Sequence, residues 1–243
     1  MASVQNPSSF ITGGGVISGD IEIQGILDQD PIIFGKNAIG LDGATAIGVN
    51  VEVTDSDATA IGFAAKATNQ NTTSFGKEAE ATGGDATALG TETKAPSRWN
   101  TVIGYNAGAD EDTVGLEPNG DNIVLVGRES QASGDNGVAI GEISRANGDN
   151  STAVGRGTQA FSDNSSVFGQ GSVSMGVGTT IVGQDVSVMA DEATSVGTEV
   201  DVSGLRATAI GRNAAATAEN STAVGVSAEA NGVNSLAVGN GTV

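Results

Sequence analysis

The sequence predicts an all-β solenoid, a rod made by stacking one short two-strand coil again and again. Three observations predict it. Glycine returns every 14 residues through most of the 243-residue chain. The residue before each of these glycines is always Ile, Val, Leu or Phe, and the neighbouring positions alternate between small and larger side chains. A fixed short period indicates stacked repeats, and alternation is typical of strands.

The recurring glycines keep their spacing in two blocks, which are separated by a single longer interval of 23 residues. We call them the anchor glycines and count the positions of each coil from them. An interval that is otherwise constant indicates that most of the chain is one continuous stack. The anchor glycines are Gly48, Gly62, Gly76, Gly90, Gly104, Gly127, Gly141, Gly155, Gly169, Gly183, Gly197, Gly211, Gly225 and Gly239.

The residues before each anchor glycine predict a first strand. Thr dominates three residues before the glycine, and the positions two and four before it are mostly small, as at Ala209 and Ala207. This alternation predicts a five-residue strand with one small face and one larger, β-branched face.

A second strand is predicted after each anchor glycine. The residues three and five after it are mostly Ala, Val, Ser or Thr, and the residue between them is mostly polar, as at Lys66 and Gln159. Gly or another turn former often follows seven after the anchor. Each coil is therefore expected to have two walls and two tight turns. The small faces should meet in a narrow lumen, and the second strand should show its polar face to water.

The outer face of the first strand carries an apolar stripe that is too long to remain exposed on a soluble monomer. We expect copies of the chain to bury it around a symmetry axis. The predicted interface residues stand directly before the anchor glycines: Ile47, Ile61, Phe75, Leu89, Ile103, Val126, Ile140, Val154, Phe168, Val182, Val196, Ile210, Val224 and Val238.

An Asp-Asn pair occupies the same place in four consecutive coils, at 121–122, 135–136, 149–150 and 163–164. Stacked Asn side chains can hydrogen-bond along such a ladder and satisfy the turn backbone. The adjacent Asp residues would form a like-charged column, which predicts either splayed side chains or cations between them. Ordinary Asx turns in solvent are the alternative.

Two segments interrupt the period and divide the chain. Residues 1–33 are predicted to be an N-terminal cap or attachment segment, and 34–243 the solenoid. The long interval predicts an excursion, or two irregular coils, at about 105–121. The candidate contact loop there consists of Trp99, Tyr105, Asp110, Glu111 and Asp112. A tolerated surface insertion that packs its aromatic side chains on the solenoid is the alternative interpretation.

The composition argues against several classes of function. With 10 basic and 29 acidic residues the net charge is −19, so nucleic acid is not an expected partner. His and Cys are absent, which removes the commonest general base and metal ligand and all thiolate chemistry. We predict no catalytic residue, no metal and no cofactor. The N-terminal residues lack the pattern of a secretory signal, and no apolar run is long enough to span a membrane, so membrane insertion is not expected.

Several coils resemble a known family. The sequences Asp-Asn-Ser-Thr-Ala-Val-Gly at 149–155, Asn-Ser-Thr-Ala-Val-Gly at 220–225 and Asn-Ser-Leu-Ala-Val-Gly at 234–239 resemble the head repeat of trimeric autotransporter adhesins, the YadA-like family. The resemblance covers residues 34–243 and implies a left-handed parallel β-roll that forms a homotrimer through its inner strands. Those adhesins continue into a coiled-coil stalk, whereas no heptad pattern follows here. The head repeat is also similar to domains of bacteriophage fibres and capsid appendages, and the alternating segment 21–26 looks like the segments that precede such domains.

Two functions follow from this resemblance. The first is a non-enzymatic, homotrimeric structural protein on the surface of a phage virion, either a capsid decoration or a fibre. Its N-terminal segment would attach to a capsid or tail protein, and a host surface receptor would be a further partner. The second is the head of a bacterial cell-surface adhesin that binds host or matrix surfaces.

Two other functions are less favoured. A polysaccharide depolymerase could use paired carboxylates in a groove, but aromatic residues make up only 3 % of the chain. Ice binding through the Thr residues conflicts with burial of the face that they share with the apolar stripe.

Overall fold

The fold was obtained as a computed structural model that describes residues 31–108 and 120–243. These residues form parallel strands joined by turns, as the glycine period predicts. They contain no helix, and hence no helix that could cross a membrane. The chain winds into coils of about 14 residues with two walls each, so the predicted all-β solenoid is confirmed.

The first wall is a single parallel sheet of 15 strands within the described residues. Each strand pairs with the strand one coil later, so that residues in equivalent positions lie side by side, for example Ala46 beside Ala60. The strands of this wall are β1 (Ile32–Phe34), β2 (Thr45–Ile47), β4 (Thr59–Ile61), β6 (Thr73–Phe75), β8 (Thr87–Leu89), β10 (Thr101–Ile103), β11 (Val124–Val126), β13 (Val138–Ile140), β15 (Thr152–Val154), β17 (Ser166–Phe168), β19 (Thr180–Gln184), β21 (Thr194–Thr198), β23 (Thr208–Ile210), β25 (Thr222–Val224) and β27 (Leu236–Val238).

The second wall consists of two parallel sheets, of four and eight strands, within the same residues. The strands of the smaller sheet are β3 (Glu52–Val53), β5 (Lys66–Ala67), β7 (Glu80–Ala81) and β9 (Lys94–Ala95). Those of the larger sheet are β12 (Gln131–Ala132), β14 (Arg145–Ala146), β16 (Gln159–Ala160), β18 (Val173–Ser174), β20 (Ser187–Val188), β22 (Asp201–Val202), β24 (Ala215–Ala216) and β26 (Glu229–Ala230).

The long interval lies within one coil. Strand β10 pairs directly with β11, so Gly104 and Gly127 occupy successive coils despite the extra residues between them. On the second wall, Lys94 N–H donates to Ala107 C=O at 3.0 Å and Gly108 N–H donates to Ser130 C=O at 2.8 Å. The backbone ladder therefore crosses the gap between the two sheets. This pairing supports the excursion and argues against two irregular coils.

The described residues begin close to the predicted boundary between the N-terminal segment and the solenoid. Strand β1 pairs with β2 from Ile32 onward, two residues before the predicted start of the solenoid at residue 34. Residues 1–30, which include most of the predicted cap, lie outside the described residues. Residues 109–119 of the predicted insertion lie outside them as well.

Small side chains fill the lumen between the walls. Ala60, Val53 and Ala67 are completely buried, and so are the equivalent residues of most other coils. The largest buried side chains include Ile123, Leu125 and Ile181. Because the two walls face each other across a narrow space, small side chains such as Ala, Ser and Val fit between them in most coils.

Close approach between successive coils explains the anchor glycines. At Gly76 the backbone φ is +143°, and an added Cβ would lie 2.0 Å from the carbonyl oxygen of Gly90 in the next coil. A side chain would thus be strained by the backbone conformation and would also collide with the neighbouring coil. The 14-residue period in the sequence is the period of this contact.

We predict that Gly76→Ala destabilises the solenoid by about 3 kcal/mol or more, because strain and collision add. Gly84→Ala is the matched control. Gly84 has no positive φ, and its added Cβ would come no closer than 3.8 Å to another atom. This control should leave the midpoint of urea unfolding, followed by far-UV circular dichroism, unchanged or slightly raised. Equal midpoints for the two variants would contradict the role of the anchor.

Candidate interaction surfaces

The predicted interface residues form one continuous column along the first wall. Pairing places Ile61 beside Phe75, and Val154 beside Phe168. The column continues across the insertion, where Ile103 pairs with Val126. Phe34 pairs with Ile47 and extends the column by one coil. Phe34 was not among the predicted interface residues, although it stands before a glycine, because the interval from Gly35 to Gly48 is one residue shorter than the period.

This apolar column lies on the outer face of the first wall. In the single chain Phe75 is 55 % exposed and Val238 60 % exposed, and Val154 is half-buried. The neighbouring Ala153 points the other way and is completely buried in the lumen. Thr or another uncharged residue occupies the second outer position of each strand, as at Thr152. The first wall therefore presents an uncharged, largely apolar surface from end to end.

The outer face of the second wall is mostly polar, and side chains link successive coils across it. Lys66 Nζ lies 2.7 Å from Glu80 Oε1, and Arg145 Nε donates to Gln131 Oε1 at 2.9 Å. The hydrogen bond to Glu80 and the charge of this carboxylate raise the pKa of Lys66 above its usual range. These links suit a wall that faces water.

The turn after the anchor glycine carries a second set of links. Arg128 donates to Glu142 one coil later and also pairs with Glu129. The hydrogen bond from Arg128 and the charge of its guanidinium lower the pKa of Glu142. Because these side chains are exposed, the pairs contribute little to stability and mainly order the edge of the solenoid.

The Asp-Asn pairs form a hydrogen-bonded ladder on the opposite edge. Asn136 Nδ2 donates to Asn150 Oδ1 at 3.0 Å, which is one step of the Asn ladder predicted through these four coils. Each Asp carboxylate accepts the backbone N–H of the preceding coil, with 2.9 Å from Asp121 N to Asp135 Oδ1 and from Asp135 N to Asp149 Oδ1. These donors hold the like-charged side chains in place. In the part of the chain that the structure describes, no group of three or more acidic side chains is arranged to hold a metal ion.

The candidate contact loop is not brought together among the described residues. Trp99 and Tyr105 lie at opposite ends of β10, on opposite edges of the solenoid. The guanidinium of Arg98 stacks over the Trp99 ring at 5.1 Å from its centroid, a cation–π contact. Asp110, Glu111 and Asp112 lie outside the described residues.

Asn100 closes the coil that contains the insertion, because its side chain hydrogen-bonds to the chain where it returns after the insertion. Its side chain is completely buried in the lumen, where most other coils carry Ala, Ser or Thr. Asn100 Oδ1 accepts the N–H of Ile123 at 3.0 Å. In several other coils the equivalent N–H bonds within its own turn, as from Ala86 to Gly83. In the sequence, Asn100 is an amide side chain at a lumen position just before the long interval. This signal was missed.

We predict that Asn100→Ala destabilises the protein by about 1 kcal/mol, because the buried N–H of Ile123 loses its acceptor. Removal of Asn100 Nδ2, which is buried without a partner among the described residues, offsets part of this cost. Ser151→Ala is a matched control at the same position of another coil, since Ser151 Oγ is buried without a partner among the described residues. This control should be neutral or stabilising. Thermal unfolding followed by circular dichroism would measure both, and a harmless Asn100→Ala would contradict the closing role.

The fold and its surfaces define a parallel β-solenoid repeat protein with one apolar outer face. A family model described as YadA head domain repeat matches residues 56–79, 81–96, 126–142, 146–172, 203–228 and 216–242. These segments cover about half of the chain on both sides of the insertion, and the chain belongs to this family. No match was found among curated proteins. The family comprises structural, surface-exposed adhesin heads, so the chain is an adhesin-like structural protein.

Proposed function

We propose that the protein is a non-enzymatic, homotrimeric rod in which three first walls face a common axis. The observation that carries this proposal is the unbroken apolar column from Ile47 to Val238 on one outer face, opposite a mostly polar outer face. A surface of this length and composition fits a partner that repeats at the same spacing, and another copy of the chain does so.

The energetics favour an obligate assembly. Coils stacked about 4.7 Å apart give a column on the order of 65 Å long. Each partly exposed Ile, Val or Phe that becomes buried contributes roughly 1 kcal/mol, and the contribution recurs in every coil. The sum exceeds the free-energy cost of association, which is on the order of 10 kcal/mol.

The distribution of charge supports the same arrangement. The two outer positions of the first-wall strands carry no charged side chain from Thr45 to Val238. The acidic residues of the described ranges therefore lie on the second wall and on the turns. Association through the first walls would keep them outside, where water and salt screen their mutual repulsion.

We predict that Val154→Asp dissociates the trimer, because three carboxylates would meet at a dry axis without partners. Gln159→Asp in β16, on the outer face of the second wall of the same coil, is the matched control and should leave the assembly intact. Light scattering would measure the mass, which we expect to fall from three chains to one only in Val154→Asp. An unchanged mass would remove the interface assignment.

The second part of the proposal concerns the carrier of the rod, that is, the particle or cell on whose surface it stands. We place it on the surface of a phage virion, attached to a capsid or tail protein through residues 1–33, with the solenoid directed toward a host surface. The similarity of the head repeat, and of the segment 21–26, to parts of phage structural proteins supports this carrier. Membership of an adhesin head family favours a second candidate, the head of a bacterial cell-surface adhesin.

Antibodies against the solenoid would distinguish the two carriers by immunogold electron microscopy. We expect label on purified particles released by the strain that encodes the protein, and none on intact cells of that strain before induction. Label confined to the cell surface would reject the virion and favour the adhesin. The trimer proposal is independent of this result.

A further inference from the structure

An apolar patch interrupts the polar outer face of the larger sheet of the second wall. Phe161, Met175 and Met189 lie six residues after the anchor glycine in three consecutive coils, and Val173 and Val177 belong to the middle coil. We call these five residues the outer apolar patch. After the other anchor glycines, the described residues at the same position as Phe161 are Thr54, Thr68, Thr82, Pro96, Ser133, Asn147, Ser203, Thr217 and Asn231. In the first described coil Leu41 holds this position, because Ile39 pairs with Glu52.

The patch is continuous and exposed. Phe161 N–H donates to Ser174 C=O at 3.0 Å, and Met175 N–H donates to Val188 C=O at 2.9 Å. This ladder stacks the patch residues of successive coils about 4.7 Å apart. The side chains of Phe161, Met175 and Met189 are 39 %, 50 % and 71 % exposed. Contiguous exposure of this kind marks an interaction site more often than isolated apolar residues do.

The patch is separate from the proposed trimer interface. The outer column of these coils, with Phe168 and Val182, belongs to the first wall. The lumen, with the buried Ser174 and Val188, lies between the two surfaces. Trimerisation through the first walls would therefore leave the patch uncovered, and the patch requires a different occupant.

Fixed negative charges surround the patch. Asp163 and Asp191 are exposed on the adjoining turns, and Asp201 is exposed on β22 in the next coil. Asp163 Oδ1 accepts the N–H of Asp149, and Asp191 Oδ1 accepts the N–H of Val177, a patch residue, each at 2.9 Å. The carboxylates are thus held beside the apolar side chains.

The carboxylates beside the patch outnumber the unpaired basic side chains. Arg206 pairs with Glu219, whereas Arg145 donates to the neutral Gln131 and keeps its positive charge. Three carboxylates against this one guanidinium leave a net negative charge next to the patch, and this sign selects the partner.

We propose that the outer apolar patch is the docking site for a protein segment that presents apolar side chains between Lys or Arg residues. The apolar centre would bury the partner's apolar side chains, and the carboxylates at its rim would attract its basic ones. Flexible Met side chains adapt to such a surface. This partner is additional to the second and third copies of the chain.

Synthetic peptides test the proposal on the full-length protein. The probes are an alternating Lys–Phe peptide, a Lys–Ser peptide of equal charge and a Glu–Phe peptide, each labelled for fluorescence anisotropy. We expect the Lys–Phe peptide to bind most tightly. The double variant Met175→Gln/Met189→Gln should weaken its binding by about tenfold without changing the binding of Lys–Ser.

The double variant Ser203→Gln/Thr217→Gln is the matched control at the same position of the next two coils, and it should bind like the wild type. Equal binding of Lys–Phe and Lys–Ser, or equal loss in both double variants, would overturn the proposal. Circular dichroism checks that each variant is folded.

Methionine oxidation provides a second readout that needs no variant. Exposed Met175 and Met189 should react with hydrogen peroxide, and saturating Lys–Phe peptide should slow their conversion to the sulfoxide, measured by mass spectrometry of the digested protein. An unchanged rate with bound peptide would place the peptide elsewhere and overturn the proposal. A lower assembly mass for Met175→Gln/Met189→Gln by light scattering would identify the occupant as another copy and overturn it as well.

Discussion

The contact between the anchor glycine of one coil and the backbone of the next is the constraint on which the rest of the structure depends. At Gly155, as at Gly76, an added Cβ would lie within 2.2 Å of the carbonyl oxygen of the next anchor. This contact permits successive coils to stack at the spacing of a parallel sheet, so that each residue lies beside its equivalent one coil later. A residue type that recurs at the same position of each coil therefore forms a column along the solenoid. The lumen, the apolar face and the Asp-Asn ladder are three such columns, and each is stabilised or exposed as a unit.

Periodic features could be predicted from the sequence, because residues that are one period apart in the sequence lie side by side in the stacked coils. The walls, the small lumen and the column from Ile47 to Val238 follow from the 14-residue period alone. Features that depend on a single residue could not be predicted in this way. Asn100 matters because its side-chain oxygen accepts the backbone N–H of Ile123, 23 residues later, and a contact between two single residues leaves no periodic signal in the sequence.

The outer apolar patch was missed for a related reason. Averaging over coils gave a polar second wall, and the average concealed three consecutive exceptions at Phe161, Met175 and Met189. The candidate contact loop shows the opposite error. Trp99 and Tyr105 are close in the sequence, but a strand between them carries them to opposite edges of the solenoid. Position within the coil therefore predicts proximity better than distance along the chain does.

The proposed trimer and the proposed docking site would use different walls of the solenoid. Residues that repeat in every coil form surfaces as long as the rod, and such surfaces suit a partner with the same repeat, which is another copy of the chain. A ligand without that repeat can recognise only a place where the pattern changes. The insertion after Gly108 and the outer apolar patch are two such places in or beside the described residues, and neither disturbs the pairing of the first wall: β10 still pairs with β11, and β17 with β19. In the proposed assembly, changes on the turns and on the second wall would be free to vary what the rod binds, because the column proposed to hold its copies together lies on the other wall.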